Sequence, residues 1–103
     1  MLTPQFIVDY HSSGKPLVCE IDLQPWRCEF WPLPQVGQYN IDYEVQINAP
    51  GYFGFGSSGG GEMYAISPVG SVVCLAFGSM SASEALYVAS SWEAFEGMLR
   101  PAS

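Results

Sequence analysis

The sequence predicts an α+β fold: a single domain over residues 1–103, with a mostly antiparallel sheet flanked by an N-terminal and a C-terminal helix. Three observations carry this. Apolar residues at helical spacing open and close the chain. Between them lie short apolar strands separated by closely spaced Gly and Pro turns. With 103 residues, 49% hydrophobic and 15% aromatic, the chain can fill one core without disulfide or metal staples, and it has no internal repeat or linker.

Thr3-Pro4 offers an N-cap hydroxyl followed by proline at the first helical position, and Phe6, Ile7 and Tyr10 follow at helical spacing. Gly14 suits a left-handed cap ending that helix. Residues 17–22 read as a strand, with Val18 and Glu20 facing away from Cys19 and Ile21. Pro25 interrupts, and residues 26–31 are the next strand candidate. Pro32 and Pro34 mark an irregular connection, and a helical turn over 35–40 is weakened by Gly37. Residues 43–47 alternate as a strand, Tyr43, Val45 and Ile47 against Glu44 and Gln46.

Ala49-Pro50-Gly51 is a turn, and residues 52–55 are aromatic and extended. Residues 56–61 form a tight glycine turn, from which 62–66 leave as a strand. Ser67-Pro68-Val69-Gly70 turns again. Residues 71–77, apolar on both faces, predict a covered central strand, and 86–89 a short one. Ser90-Ser91-Trp92-Glu93 fits a capping box with Ser90 as N-cap, and Trp92, Phe95 and Leu99 form one apolar face of the last helix. Arg100 suits its negative C-terminal dipole, and Pro101 stops it.

The charge balance is lopsided: ten Asp and Glu against three Lys and Arg, a formal net charge of -7. The cations are Lys15, Arg27 and Arg100. Between Cys28 and Leu99 there is none, while Glu29, Asp42, Glu44, Glu62, Glu84, Glu93 and Glu96 lie there. Phosphate backbones and anionic lipid heads would repel such a chain, so nucleic acid and membrane are not expected partners, and a basic protein is. The longest purely apolar run, residues 72–77, is far short of the roughly 18 residues of a membrane helix. The N-terminal Met1-Leu2-Thr3-Pro4 has no basic region, so no signal peptide and a cytoplasmic location are expected. Three cysteines without CxxC agree with buried thiols in a reducing compartment, although a hairpin turning near Leu23-Gln24 would set Cys19 opposite Cys28 for a disulfide.

Catalytic motifs are matched only in letters. Gly54, Gly56 and Gly59 spell GxGxxG, but a strand and Ser67-Pro68 follow where a dinucleotide site needs a helix. Gly56, Ser58 and Gly60 spell GxSxG, but the sole histidine, His11, lies upstream and the helix is again missing. His11 alone cannot build a zinc site and reads as a helix C-terminal residue favoured by the dipole. Asp42 and Glu44, sharing a strand face, could do acid–base work but read as a solvated edge. No catalytic residue, cofactor or metal is therefore expected. The aromatics from Trp26 to Phe55 have no Lys or Arg interleaved beyond Arg27, short of the cations that base stacking needs. Most belong to the core, with Tyr39, Tyr52 and Tyr64 available to a protein interface.

The stretch Ala49-Pro50-Gly51-Tyr52-Phe53-Gly54-Phe55-Gly56-Ser57-Ser58-Gly59-Gly60-Gly61-Glu62-Met63-Tyr64-Ala65-Ile66 resembles the signature of the SUKH superfamily, which takes in fungal Smi/Knr cell-wall regulators and many bacterial immunity proteins. The structural signature is Gly56, Gly59, Gly60, Gly61 and Glu62. Pro4-Gln5-Phe6-Ile7 with Tyr10 and Gly14 is similar to the family's opening helix and turn, with Ser13 where Asn is usual. Trp31-Pro32-Leu33-Pro34 with Asn40 is similar to its Trp-x-Leu segment, and Val88-Ala89-Ser90-Ser91-Trp92-Glu93-Ala94-Phe95 to its closing helix, with Trp92 in place of Phe.

The resemblance implies an α+β fold without a catalytic centre. It implies a cytoplasmic bacterial immunity protein that binds and neutralises a toxin, commonly a nuclease or deaminase. The alternative is a regulatory or scaffold module without a toxin partner. Because the family's binding surface varies, contacts are expected among acids outside the core, Glu20, Asp42, Glu44 and Glu84, with Tyr39 and Tyr52 as aromatic anchors. Glu62 reads as capping backbone N–H groups of the glycine turn, against a direct role in binding.

Overall fold

The structure, a computed structural model, describes residues 2–102. It is an α+β domain in which all strand pairs are antiparallel. The elements run α1 (Gln5–Ser12), β1 (Val18–Glu20), β2 (Arg27–Phe30), α2 (Leu33–Asp42), α3 (Val45–Asn48), β3 (Phe53–Ser57), β4 (Glu62–Ile66) and β5 (Val72–Ala76). A 3-10 turn (Ala82–Glu84), β6 (Leu86–Ala89), α4 (Trp92–Met98) and β7 (Arg100–Pro101) complete the chain. The seven strands lie in the order β6-β5-β4-β3-β2-β1-β7, so β7 returns to cover the free edge of β1.

Period-two alternation divides the sheet into two faces. On one, Phe55 and Tyr64 pack on Phe95 of α4, and Phe30 stacks on Tyr10 of α1 at 4.4 Å between ring centroids. On the other, Ala65, Val73 and Leu75 pack with Ala49, at the end of α3. β4 and β5 are thus buried on both faces, which for β5 is what the apolar run at 72–77 predicts. In β1, Cys19 is buried and Val18 exposed, as its alternation predicts.

Several local expectations are corrected. Thr3 does not cap α1; Pro4 is the N-cap residue, and its carbonyl accepts the N–H groups of Ile7 and Val8. Gly14, at φ +78°, does follow that helix in the left-handed region. The irregular connection at 32–40 is a regular ten-residue helix, α2. Pro34 falls in its first turn, where the missing N–H has no intrahelical partner to lose, and the buried Val36 and Asn40 outweigh the roughly 1 kcal/mol that Gly37 costs.

The strand expected at 43–47 does not form. Glu44 takes φ +55°, turning the chain out of the extended region, and α3 begins at Val45. Val45 is fully buried while Tyr43 and Ile47 are exposed, so the alternation there was no sheet face. Asp42 and Glu44 accordingly share no strand face; they end α2 and link it to α3. Gly56 and Ser57 belong to β3, so the turn spans only residues 58–61. Ser91, not Ser90, caps α4, its Oγ accepting the Ala94 N–H at 3.1 Å. Arg100 lies in β7 beside β1 rather than at a helix end.

Candidate functional site

The glycine turn is built around Ser58 and Glu62. Ser58 Oγ donates to Glu62 Oε1 at 2.6 Å and accepts the N–H groups of Gly60 at 3.0 Å and Glu62 at 3.4 Å. Glu62 Oε1 also accepts the Gly61 N–H at 3.3 Å. These bonds, that from Ser58 first, lower the Glu62 carboxyl below its ordinary range. Glu62 thus engages the turn's own backbone, as its capping role predicts. Gly59 holds φ +80°, and a Cβ on Gly56 would stand 2.7 Å from the Glu29 carbonyl of the neighbouring strand.

The candidate contact residues separate in space. Tyr39, Asp42 and Glu44 fall on α2 and its exit, and Tyr52 follows α3, where its carbonyl accepts Gln46 Nε2 at 2.6 Å. Tyr39 is half-buried, its ring edge against Trp31 and its hydroxyl donating to Gln35. Glu20 lies on β1, with Arg100 Nη1 3.6 Å from its Oε1. Glu84 sits in the 3-10 turn before β6, towards the opposite end of the strand order. Tyr64, offered as an interface tyrosine, is fully buried, and its hydroxyl donates to the Arg27 carbonyl at 2.9 Å.

The cations are all engaged. Lys15 pairs with Glu96, Arg27 with Glu29 at 2.6 Å, and Arg100 with Asp22 at 2.5 Å as well as with Glu20. Asp42 accepts only the neutral Gln38 side chain, at 2.8 Å, and the Glu44 carboxylate has no partner among the described residues. Two carboxylates that no cation neutralises thus lie close together at the α2–α3 corner, while Asp9, Glu62, Glu84 and Glu93, likewise without a cation, are placed on other elements.

That corner also exposes apolar surface. Ile41 is 68% and Ile47 72% exposed, and with Gly37, Asn40, Glu44 and Gln46 they line a groove of about 330 Å³. The sequence reading missed Gly37, Ile41 and Ile47, because taking 43–47 as a strand put Ile47 beside the buried Val45. The available signal was the i, i+4 spacing of Gly37 and Ile41, which places them on one helical face.

All three cysteines are free and buried, and Cys19 and Cys28 are cross-strand register partners. Burial pushes the Cys28 thiol well up and the Cys74 thiol up to about 12, which keeps both protonated and poorly nucleophilic. His11 ends α1 as expected, but its Nε2 is buried without a hydrogen-bond partner among the described residues, and burial lowers its pKa. Among the described residues, no group of three His, Cys, Asp or Glu side chains is placed to hold a metal ion, and no helix is long and apolar enough to cross a membrane. No family model matches the chain, and no curated protein matches it.

Proposed function

We propose that this chain is a SUKH-type, non-catalytic protein-binding domain that acts as an immunity protein, neutralising a basic nuclease- or deaminase-type bacterial toxin. The observation that carries the reading is the charge arrangement: each cation is already paired, while Asp42 and Glu44 face solvent without one beside exposed apolar surface. Surfaces of this kind raise the on-rate of a cationic partner and reject anionic ones. Supporting it further are a helix leading into an antiparallel sheet, a glycine turn whose glutamate organises its own backbone, and a closing helix packed on the sheet.

Titration calorimetry of the purified chain with the toxin domain encoded beside its gene tests this. The expected result is saturable binding that weakens as salt is raised from low to physiological concentration. Absence of binding at low salt would refute it.

A further inference from the structure

We propose that the α2–α3 groove is the docking site for the partner, and that it takes a segment carrying an apolar anchor flanked by lysine or arginine. This rests on the immunity reading and names the surface that would serve it. Three features of the corner point the same way.

First, Ile41 and Ile47 stand mostly in water on adjoining helices, whereas Ile7, Ile21 and Leu75 are almost fully buried in the core. Two large aliphatics converging on one groove form the sort of patch that interfaces cover. Second, Gly37 lines the groove with no side chain. A Cβ there would meet nothing within 4 Å, so packing does not require glycine, and an alanine would make a better helix. The glycine costs helix stability and leaves the groove open.

Third, Glu44 occupies a left-handed position, φ +55°, where glycine or asparagine is less strained. Its backbone carbonyl starts α3 by accepting the N–H groups of Ile47 and Asn48, while its carboxylate is left at the rim without a partner among the described residues. Asp42, one residue from the corner's Tyr43, adds a second acid that no cation neutralises. Charge complementarity then selects the occupant. An acidic or purely apolar segment would bury or crowd these carboxylates uncompensated, whereas flanking lysines or arginines would pair with them as the anchor entered between the isoleucines.

The test uses two probes. The first is a short synthetic peptide of two leucines flanked by lysines, compared with a twin bearing glutamate for each lysine and followed by amide chemical shifts of the full chain. The lysine peptide should saturably shift Gly37, Ile41, Glu44 and Ile47, the glutamate twin should not, and Gly37→Leu, which fills the groove, should weaken binding by about tenfold or more. Glu44→Asn, which tolerates the left-handed backbone, should weaken binding and flatten its salt dependence. Equal response to both peptides, shifts centred elsewhere, or unaltered binding by a folded Gly37→Leu chain would overturn the proposal.

The second probe is the neighbouring toxin domain in co-expressing cells. If wild type and Gly37→Leu protect equally, the groove is wrong and the immunity reading stands. If wild type does not protect, that reading fails, and the peptides alone decide the groove.

Discussion

Asn40 grips both backbone groups of Gly54. Its Nδ2 donates to the Gly54 carbonyl and its Oδ1 accepts the Gly54 N–H, each at 2.8 Å, while Nδ2 also reaches the Val36 carbonyl at 2.9 Å. The β3–β4 register shifts between Gly54 and Gly56, so a side chain of α2 satisfies backbone beside an irregularity in the ladder. This one residue fixes α2, and hence the groove on its flank, to the middle of the sheet.

Asn40→Leu leaves a buried donor and acceptor of Gly54 unpaired. Urea unfolding should show a loss of about 2–6 kcal/mol, from roughly 1–3 kcal/mol for each orphaned group. A loss indistinguishable from zero would mean that water or a shifted strand replaces the side chain.

Three glycines should respond in a fixed order. At Gly56 an added Cβ meets the Glu29 backbone carbonyl at 2.7 Å, which cannot move without breaking the β2–β3 pairing. At Gly54 it meets Met63 Sδ, part of a flexible though buried side chain. Thermal melts should therefore rank Gly56→Ala below Gly54→Ala, each losing on the order of 1–3 kcal/mol. Gly37→Ala should gain about 0.5–1 kcal/mol, since nothing lies in its way. Destabilisation by Gly37→Ala would remove the argument that helix packing leaves that position free.

Ser58→Ala and Glu62→Gln each remove part of the turn's internal bonding and should cost about 1 kcal/mol while leaving partner affinity within about twofold. A folded Glu62→Gln chain that has lost binding would assign Glu62 to the interface instead. The lowered Glu62 pKa also gives a sign. Its contribution is complete above the ordinary carboxyl value of 4.5 and is lost as pH falls through the lower folded value.

Acid should act on His11 at higher pH. Its folded pKa lies below the ordinary 6.5, so the unfolded chain takes up the proton first and stability falls as pH drops through and below 6.5. Chemical unfolding measured at several pH values should show this slope, and His11→Phe should flatten it. A slope unchanged in that variant would move the linkage to the carboxylates.

Much of the sheet was legible from pattern. β4 runs over residues 62–66 as read, because the glycine turn and Ser67-Pro68 bracket a short apolar run, and β5 declared itself by apolar residues on both faces. The α2–α3 unit was not legible. Prolines that look like breakers lie in and before the first helical turn, and the apolar face of α2 is completed by a polar residue, Asn40, whose role appears only against Gly54. Residues 43–47 alternate like a strand, yet a single left-handed residue, Glu44, overrides the pattern. The acids were legible as a charge excess but not as a surface, because pairing with Lys15, Arg27 and Arg100 depends on long-range contacts in two of three cases.

The central claim is that this acidic domain protects a cell from a cationic toxin by binding it. Growth of cells expressing the adjacent gene's toxin domain, with and without this chain, tests that most directly. Restored growth with wild type, lost when Asp42 and Glu44 are both reversed to lysine, is the predicted result. Growth arrest despite full expression of the folded chain would contradict it.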